Sequence, residues 1–164
     1  RSHSRSVLHA GANSASQAII FAEEGTDREM NTEIVLEGAG ATCEDLARMV
    51  STGGRIVNNA LLVGAASGTD GFLGCDGLKL SDAGEILAVP SLQALAEGAR
   101  LSHEASVGMI DREKLDYLMA TGMDEDAARD LIVQGFLSLE DKAIPEPLRM
   151  RVSEMISQAI SGGM

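Results

Sequence analysis

The sequence predicts a mainly β chain that closes with a small helical segment. Three observations carry that expectation: where the glycines fall, how few aromatics there are, and where the hydrophobic period changes. Fourteen of the 18 glycines lie in residues 1–108 and four in 109–164. In the first stretch, short aliphatic and β-branched runs alternate with Gly, Asn, Ser and Asp, the pattern of many short strands joined by turns. Aromatic residues make up only 2% (Phe21, Phe72, Phe136 and Tyr117), so a core must be filled by Ala, Leu, Ile, Val and Met. From residue 109 onward, apolar residues recur at i, i+3 and i+4, which is helical spacing.

In chain order, the candidate strands are Ser6–His9, Ala18–Ala22, Glu33–Glu37, Ile56–Val57, Leu61–Val63, Leu78–Leu80, Glu85–Val89 and Ala99–Leu101. Thr42–Val50 also reads as a short helix, with Thr42 capping and Asp45 three residues on. An antiparallel sandwich and a parallel solenoid both fit so many short strands. The recurring small residues favour the solenoid, whose tight corners want Gly, Ala, Ser and Asn, although no repeat of fixed length is obvious. In the helical stretch, Asp111 is placed to cap a helix carrying Leu115, Leu118 and Met119, and Gly122 to end it. Asp124 is placed to cap a second helix with Glu125 and Asp126 in its first turn, where the helix dipole favours anions. Its apolar face reads Ala128, Leu131, Ile132, Gly135, Phe136 and Leu139. After Pro145-Glu146-Pro147 a third helix is expected, with Leu148, Val152, Met155, Ile156 and Ala159 on one face, and Ser161–Met164 is expected to fray.

The 164 residues suit one domain, or a core with a small appendage. Thirteen Lys and Arg against 25 Asp and Glu give a net charge of −12. That balance argues against duplex nucleic acid, whose binding needs clustered cations, and the scarcity of aromatics argues against stacking on single strands. No apolar run approaches a membrane span and no signal-peptide pattern opens the chain. A start at Arg1 is what a mature product or a fragment would show. Cys43 and Cys75 make no disulfide framework, which points to a reducing, cytoplasmic compartment. There is no GxxxxGK[ST] phosphate loop, GxSxG elbow, HExxH helix or CxxC knuckle. His3, His9, Cys43 and the eight methionines read as structural or solvated.

The densest local signal runs from Ala99 through Ser102-His103-Glu104-Ala105 and Gly108 to Met123, and on to Gly135-Phe136. It resembles the C-terminal signature of the SufB/SufD family, scaffold subunits of iron–sulfur cluster assembly. His103, Glu104, Ala105, Gly108, Asp111, Tyr117, Leu118, Gly122, Ala128, Leu131, Gly135 and Phe136 fit the pattern. The stretch Gly74-Cys75-Asp76-Gly77, with Pro90 and Leu92 after it, resembles the family's last coils. The likeness covers about residues 70–140 and fades toward the N-terminus. Asp116 stands where the family has an aromatic and Thr121 where it has Arg. Family members are much longer, so these residues look like a C-terminal half, and compact members found in archaea and anaerobes look like the nearest type.

The resemblance implies a right-handed parallel β-helix over residues 1–108, cut short on its N-terminal side, and a helical domain over 109–164. It implies a non-enzymatic scaffold working with an ABC-type ATPase, in a homo- or heterodimer with another SufB/SufD-like chain. The iron–sulfur cluster would be transient, with none held tightly by this chain, and neither nucleic acid nor membrane would be a partner. The ATPase would dock on the helices, through the region marked by Asp111, Tyr117, Leu118, Gly122, Gly135 and Phe136. Cys75 sits where family members carry a cluster-building cysteine and Glu104 where they carry a functional glutamate, making the two the candidate metal ligands. A soft thiolate beside a harder carboxylate suits a site that must release what it builds. His103 joins them as a cluster-assembly candidate, although on a strand it and Glu104 point to opposite faces. Taken alone, Cys75 reads equally as a small buried hydrophobe. Two other readings stand beside the scaffold: a carbohydrate-active β-solenoid enzyme, which lacks sugar-stacking aromatics, and a degenerate family member that is only an assembly adaptor.

Overall fold

The computed structural model describes residues 1–137 together with 146, 147, 150, 151, 154 and 155. Eight strands come first: β1 (Ser2–Leu8), β2 (Asn13–Ala22), β3 (Asp27–Leu36), β4 (Thr42–Ser51), β5 (Arg55–Gly64), β6 (Asp70–Lys79), β7 (Glu85–Ala94) and β8 (Arg100–Met109). Odd strands pair with odd and even with even, giving two four-stranded sheets, β1-β3-β5-β7 and β2-β4-β6-β8. Every pairing is parallel. Consecutive strands thus lie in opposite sheets and each β-pair makes one coil, so the fold is a parallel β-solenoid of about four turns. It is mainly β, as the glycine and aromatic pattern anticipates, and hairpin pairing of a sandwich does not occur among the described residues.

The coil length that the sequence conceals appears in the register. Ser2 aligns with Met30, Met30 with Asn58 and Asn58 with Ala88, steps of 28, 28 and 30 residues. Its marker is the corner glycine. Gly11, Gly40, Gly68 and Gly98 stand at φ 67°, 67°, 68° and 76°, and each is followed by a small residue (Ala12, Ala41, Thr69, Ala99). Left-handed backbone at every turn of the same edge demands a residue without Cβ. The unequal step lengths hide this period from a search for fixed repeats.

Residues 42–50, the alternative helix, form β4. Their alternation decides it: Cys43, Asp45, Ala47 and Met49 fall on the inner face, and Cys43, Ala47 and Met49 are buried there. A helix would have scattered those side chains and left β2 and β6 without the strand that joins them.

The interior contains two clusters, one of Leu8, Ile34, Leu36, Ala41, Cys43, Ala60, Leu62 and Leu73, the other of Ile20, Ala22, Met49, Ile56 and Cys75. No aromatic residue belongs to either. Facing sheets sit about 10 Å apart, and small aliphatics in stacked rows fill that gap at close-packed density.

The chain divides into two compact units, Arg1–Met109 and Ile110–Met164. The second contains α1 (Arg112–Ala120) and α2 (Glu125–Leu137). Asp111 caps α1 by accepting from the Glu113 N–H at 3.0 Å, and Asp124 caps α2 by accepting from the Ala127 N–H at 2.8 Å. Gly122 follows α1 at φ 104° and its N–H donates to the Met119 carbonyl. The buried residues are Leu115 of α1 and Ala128, Val133 and Leu137 of α2. Leu131, expected on the buried face of α2, is exposed. The buried stripe steps through Ala128, Val133 and Leu137, which rotates Leu131 outward. Met155 is helical and exposed, while Leu139, Leu148, Val152, Ile156, Ala159 and Ser161–Met164 lie outside the described residues.

Leu62, fully buried in the cluster that includes Leu36 and Leu73, is the packing test. Leu62→Ala should lower the unfolding free energy by about 2–5 kcal/mol in chemical denaturation, since the neighbouring coils cannot collapse into the gap. Leu87→Ala, on the exposed outer face of β7, should change it by no more than about 0.5 kcal/mol.

Candidate functional site

Cys75 lies on β6 between Gly74 and Asp76, and alternation turns its side chain into the solenoid. It is 2% exposed and packs in the cluster of Ile20, Ala22, Met49 and Ile56. Across the interior, Asn58 of β5 donates from Nδ2 to Cys75 Sγ at 3.6 Å. Burial pushes the Cys75 thiol up, and the Asn58 hydrogen bond offsets part of that. The thiol is therefore neutral at ordinary pH and shielded from solvent.

Glu104 lies on β8, in register with Gly74, while Cys75 is in register with Ala105. The two candidates thus occupy neighbouring strands, one register position apart. One position is one pleat, so they point to opposite faces of the same sheet: Cys75 inward, Glu104 outward and exposed. Beside Glu104, a Cβ at Gly74 would stand 2.6 Å from Leu46 Cδ2 and 3.2 Å from Phe72 Cε1, side-chain ends that would have to shift. Two positions along the same outer face from Gly74, Asp76 accepts a hydrogen bond from Ser106 Oγ at 2.6 Å.

His103 aligns with the inward-facing Leu73, on the side of the sheet that Cys75 occupies. It is nonetheless exposed, because β8 is an edge strand with no further coil to cover it. Val107 and Met109, on the same inner-facing row, are exposed as well. Among the described residues no three His, Cys, Asp or Glu side chains converge as a metal site. His3 and His9 are exposed on and just after β1, and His9 Nδ1 lies 3.4 Å from a Glu37 carboxylate oxygen.

Cys43 is buried in the first core cluster. Its thiol is pushed up to about 11, first by burial and further by the Asp45 and Asp70 carboxylates, against a backbone hydrogen bond at Phe72. Two interior polar residues escape the sequence reading. Asn58 is buried, and its signal is an amide on the inward alternation Ile56-Asn58-Ala60-Leu62. Asp45, assigned to a helix cap, instead faces inward on β4 and accepts from Ser16 Oγ of β2.

The residues of the expected ATPase-docking region fall in the helical unit, after the solenoid. Asp111 and Gly122 bound α1, Tyr117 and Leu118 lie on it, and Gly135 and Phe136 lie on α2. Tyr117 is 70% exposed. It lines a concavity of about 450 Å³ with Asp111, Glu113, Lys114, Leu118 and Ile132. Part of the acidic surface there is internally engaged: Asp116 pairs with Arg112 at 3.2 Å and Glu125 with Arg129 at 3.0 Å.

Comparison with known proteins decides the family. The profile described as "SUF system FeS cluster assembly, SufBD core domain" matches residues 2–136, the whole solenoid and both helices. The chain belongs to the SufBD family. The likeness therefore reaches to the N-terminus, well beyond residues 70–140, where short motifs made it visible. An iron–sulfur cluster assembly SufBD family protein of Archaeoglobus fulgidus is 37% identical over 142 residues, 87% of this chain and 38% of the relative. One from Methanothermobacter thermautotrophicus (strain Winter) is 35% identical over 147 residues, 89% of this chain and 36% of the relative. One from Pyrococcus horikoshii is 32% identical over 146 residues, 88% of this chain and 33% of the relative. The chain thus spans about a third of the length of the curated relatives it matches. No helix among the described residues is long and apolar enough to cross a membrane.

The raised thiols make a pH prediction for this SufBD core. A folded-state thiol pKa above the unfolded value stabilises the fold below the unfolded pKa, and that stability is lost as pH rises through the folded one. For Cys43 the window runs from 9.0 to about 11. Unfolding free energy should fall across it by up to about 1.4 kcal/mol per pH unit from this group. Denaturation curves at intervals through the window should show a shallower fall for Cys43→Ala than for the parent.

Proposed function

We propose that this chain is the scaffold core of a SUF-type cluster assembly complex, non-enzymatic and cytoplasmic, in which two solenoids meet and a partner ABC-type ATPase acts on the helical unit. The observation that carries this reading is the family match over residues 2–136, with Cys75 and Glu104 on adjacent strands beside an open terminal coil. Iron and sulfide are cargo here, held while a cluster forms and then released. Because no complete donor set converges among the described residues, the ligands come from two chains meeting at that coil.

The buried Cys75 sets the chemical condition. The thiolate is the metal ligand, and a neutral thiol inside an apolar cluster is a poor one. Delivery of Cys75 to iron requires the last coils to shift so that Sγ reaches the open end and gives its proton to solvent. Such a rearrangement is the work an ATPase docked on the helices supplies. Glu104 already faces outward and offers a carboxylate that holds iron more weakly than sulfur does. His103, exposed on the inner-facing row of the terminal strand, supplies a borderline imidazole on the side from which Cys75 would emerge. Asp111, Tyr117, Leu118, Gly122, Gly135 and Phe136 mark the docking region, with Tyr117 the aromatic that a partner pocket would take.

One observation favours a second reading, the adaptor that builds no cluster: Cys75 is fully packed and has a hydrogen-bond partner that satisfies it without iron. Reconstitution of the full-length complex with iron and sulfide separates the two. On the scaffold reading, Cys75→Ser folds, keeps its Asn58 partner and loses at least tenfold in cluster absorbance, and Glu104→Gln loses a comparable share. Parent-level cluster on Cys75→Ser removes the ligand role and leaves the adaptor. Tyr117→Ala should leave folding intact and weaken ATPase binding about thirtyfold, measured by calorimetry against the cognate ATPase. Unchanged affinity there removes the docking assignment.

A further inference from the structure

Three polar residues are buried among the described ones: Ser51, Asn58 and Thr69. Two of them build corners. Ser51 Oγ donates to the Gly54 carbonyl at 2.7 Å and Thr69 Oγ1 to the Ala66 carbonyl at 2.9 Å, each to a residue three positions away. Asn58 builds no corner. It lies within β5, faces inward on the alternation Ile56-Asn58-Ala60-Leu62, and is 3% exposed. Its Nδ2 donates across the interior to Cys75 Sγ at 3.6 Å, the only hydrogen bond its side chain makes among the described residues.

Stability does not account for this amide. Burial strips it of water, and a thiol sulfur is a weak acceptor that returns little of the loss. Leucine, of nearly the same shape, would fill the place without that cost. The stacking rows point to a role instead. On the terminal coil, the row neighbour of Asn58 is Ala88 and that of Cys75 is Ala105. Ala88 is half-buried and Ala105 exposed, so along these two rows only methyl groups stand between the amide–thiol pair and the open end. The bulkier Ile86 packs to one side. Side-chain bulk on those rows therefore does not confine Cys75. The bond from one sheet to the other does.

We propose that Asn58 is a positioning residue that latches Cys75 inside the solenoid, holding Sγ toward β5 until the last coils shift. The inference rests on the reading of Cys75 as a ligand delivered by such a shift, and it adds the side chain that holds the sulfur back. One neutral hydrogen bond changes an opening equilibrium by roughly two- to tenfold, enough to bias the closed state and weak enough for a coil movement to break.

The test is labelling of the two buried thiols of this chain with methyl methanethiosulfonate, read separately for Cys43 and Cys75 by peptide mass spectrometry. Reagent is raised until the rates no longer depend on it, so that they report opening and not the reactivity of the sulfur. Cys43, packed in the other cluster and hydrogen-bonded at the Phe72 backbone, controls for general loosening. Asn58→Leu, or Asn58→Met if leucine does not fold, refills the volume and removes the donor. Either should label Cys75 about fivefold faster, leave Cys43 at the parent rate, and keep or raise the denaturation midpoint. Asn58→Ala, which also leaves a gap, should accelerate Cys75 to a similar degree relative to Cys43. A parent-level Cys75 rate in the refilled variant makes Asn58 a packing residue, and equal acceleration of both thiols makes it a stability residue. Each of those results overturns the latch and leaves the ligand role of Cys75 standing, because reconstitution of Cys75→Ser decides that role by itself.

Discussion

The fold depends on in-register parallel stacking of one coil on the next. Each inner position is one member of a row that runs through successive coils, such as Ile34-Leu62-Leu92. Members of a row are in direct contact, because neighbouring strands lie under 5 Å apart. That spacing explains the composition. Large aromatics would break the layer, so the half-buried Phe21 and Phe72 stand on the outer faces of β2 and β6. Burial of a Leu or Ile side chain contributes about 1.5–3 kcal/mol, and the rows supply many such contributions without any one residue dominating.

The same rule operates on the outer faces, where stacking puts each charge directly beside its row neighbours. Opposite charges are accordingly placed in register: Arg5 with Glu33 at 3.1 Å, Arg100 with Asp70 at 3.0 Å, and Arg55 between Asp27 and Glu85 at 3.5 and 3.3 Å. Asn59 likewise donates to Asn31 at 3.0 Å, an amide row across two coils. Exposed pairs of this kind contribute under about 1 kcal/mol each. Their larger effect is on register, since a slip of one residue would separate these pairs and turn every inner side chain outward.

A stack has ends, and one of them is formed by β7 and β8. There the inner row loses its cover, which is why His103 is exposed although it aligns with the buried Leu73. One strand inward, Cys75 is sealed and neutral. A thiol lies buried one coil below the surface while the Glu104 carboxylate stands outside it. Under the scaffold role proposed above, this arrangement ties the availability of the thiol to movement of the coils.

The helices were legible residue by residue, because Asp111, Gly122 and Asp124 act through local hydrogen bonds that a sequence window contains. The strand content was legible in the glycines and the missing aromatics, and the motif around His103 and Glu104 marked the family. Residues 42–50 were ambiguous because Leu46 and Val50 make helical spacing while Cys43, Ala47 and Met49 make strand alternation. Only the strands on either side, β2 and β6, resolved that conflict. The site divides in the same way. The family resemblance singled out Cys75 and Glu104 as candidate ligands. Tertiary structure decided that they stand one register step apart and so on opposite faces, because the coils here advance by 30 residues. It also decided that Asn58 is the partner of Cys75 and that Asp45 faces inward. Local chemistry is written in neighbouring residues, whereas face and partner depend on register between strands about 30 residues apart, which packing of the whole stack determines.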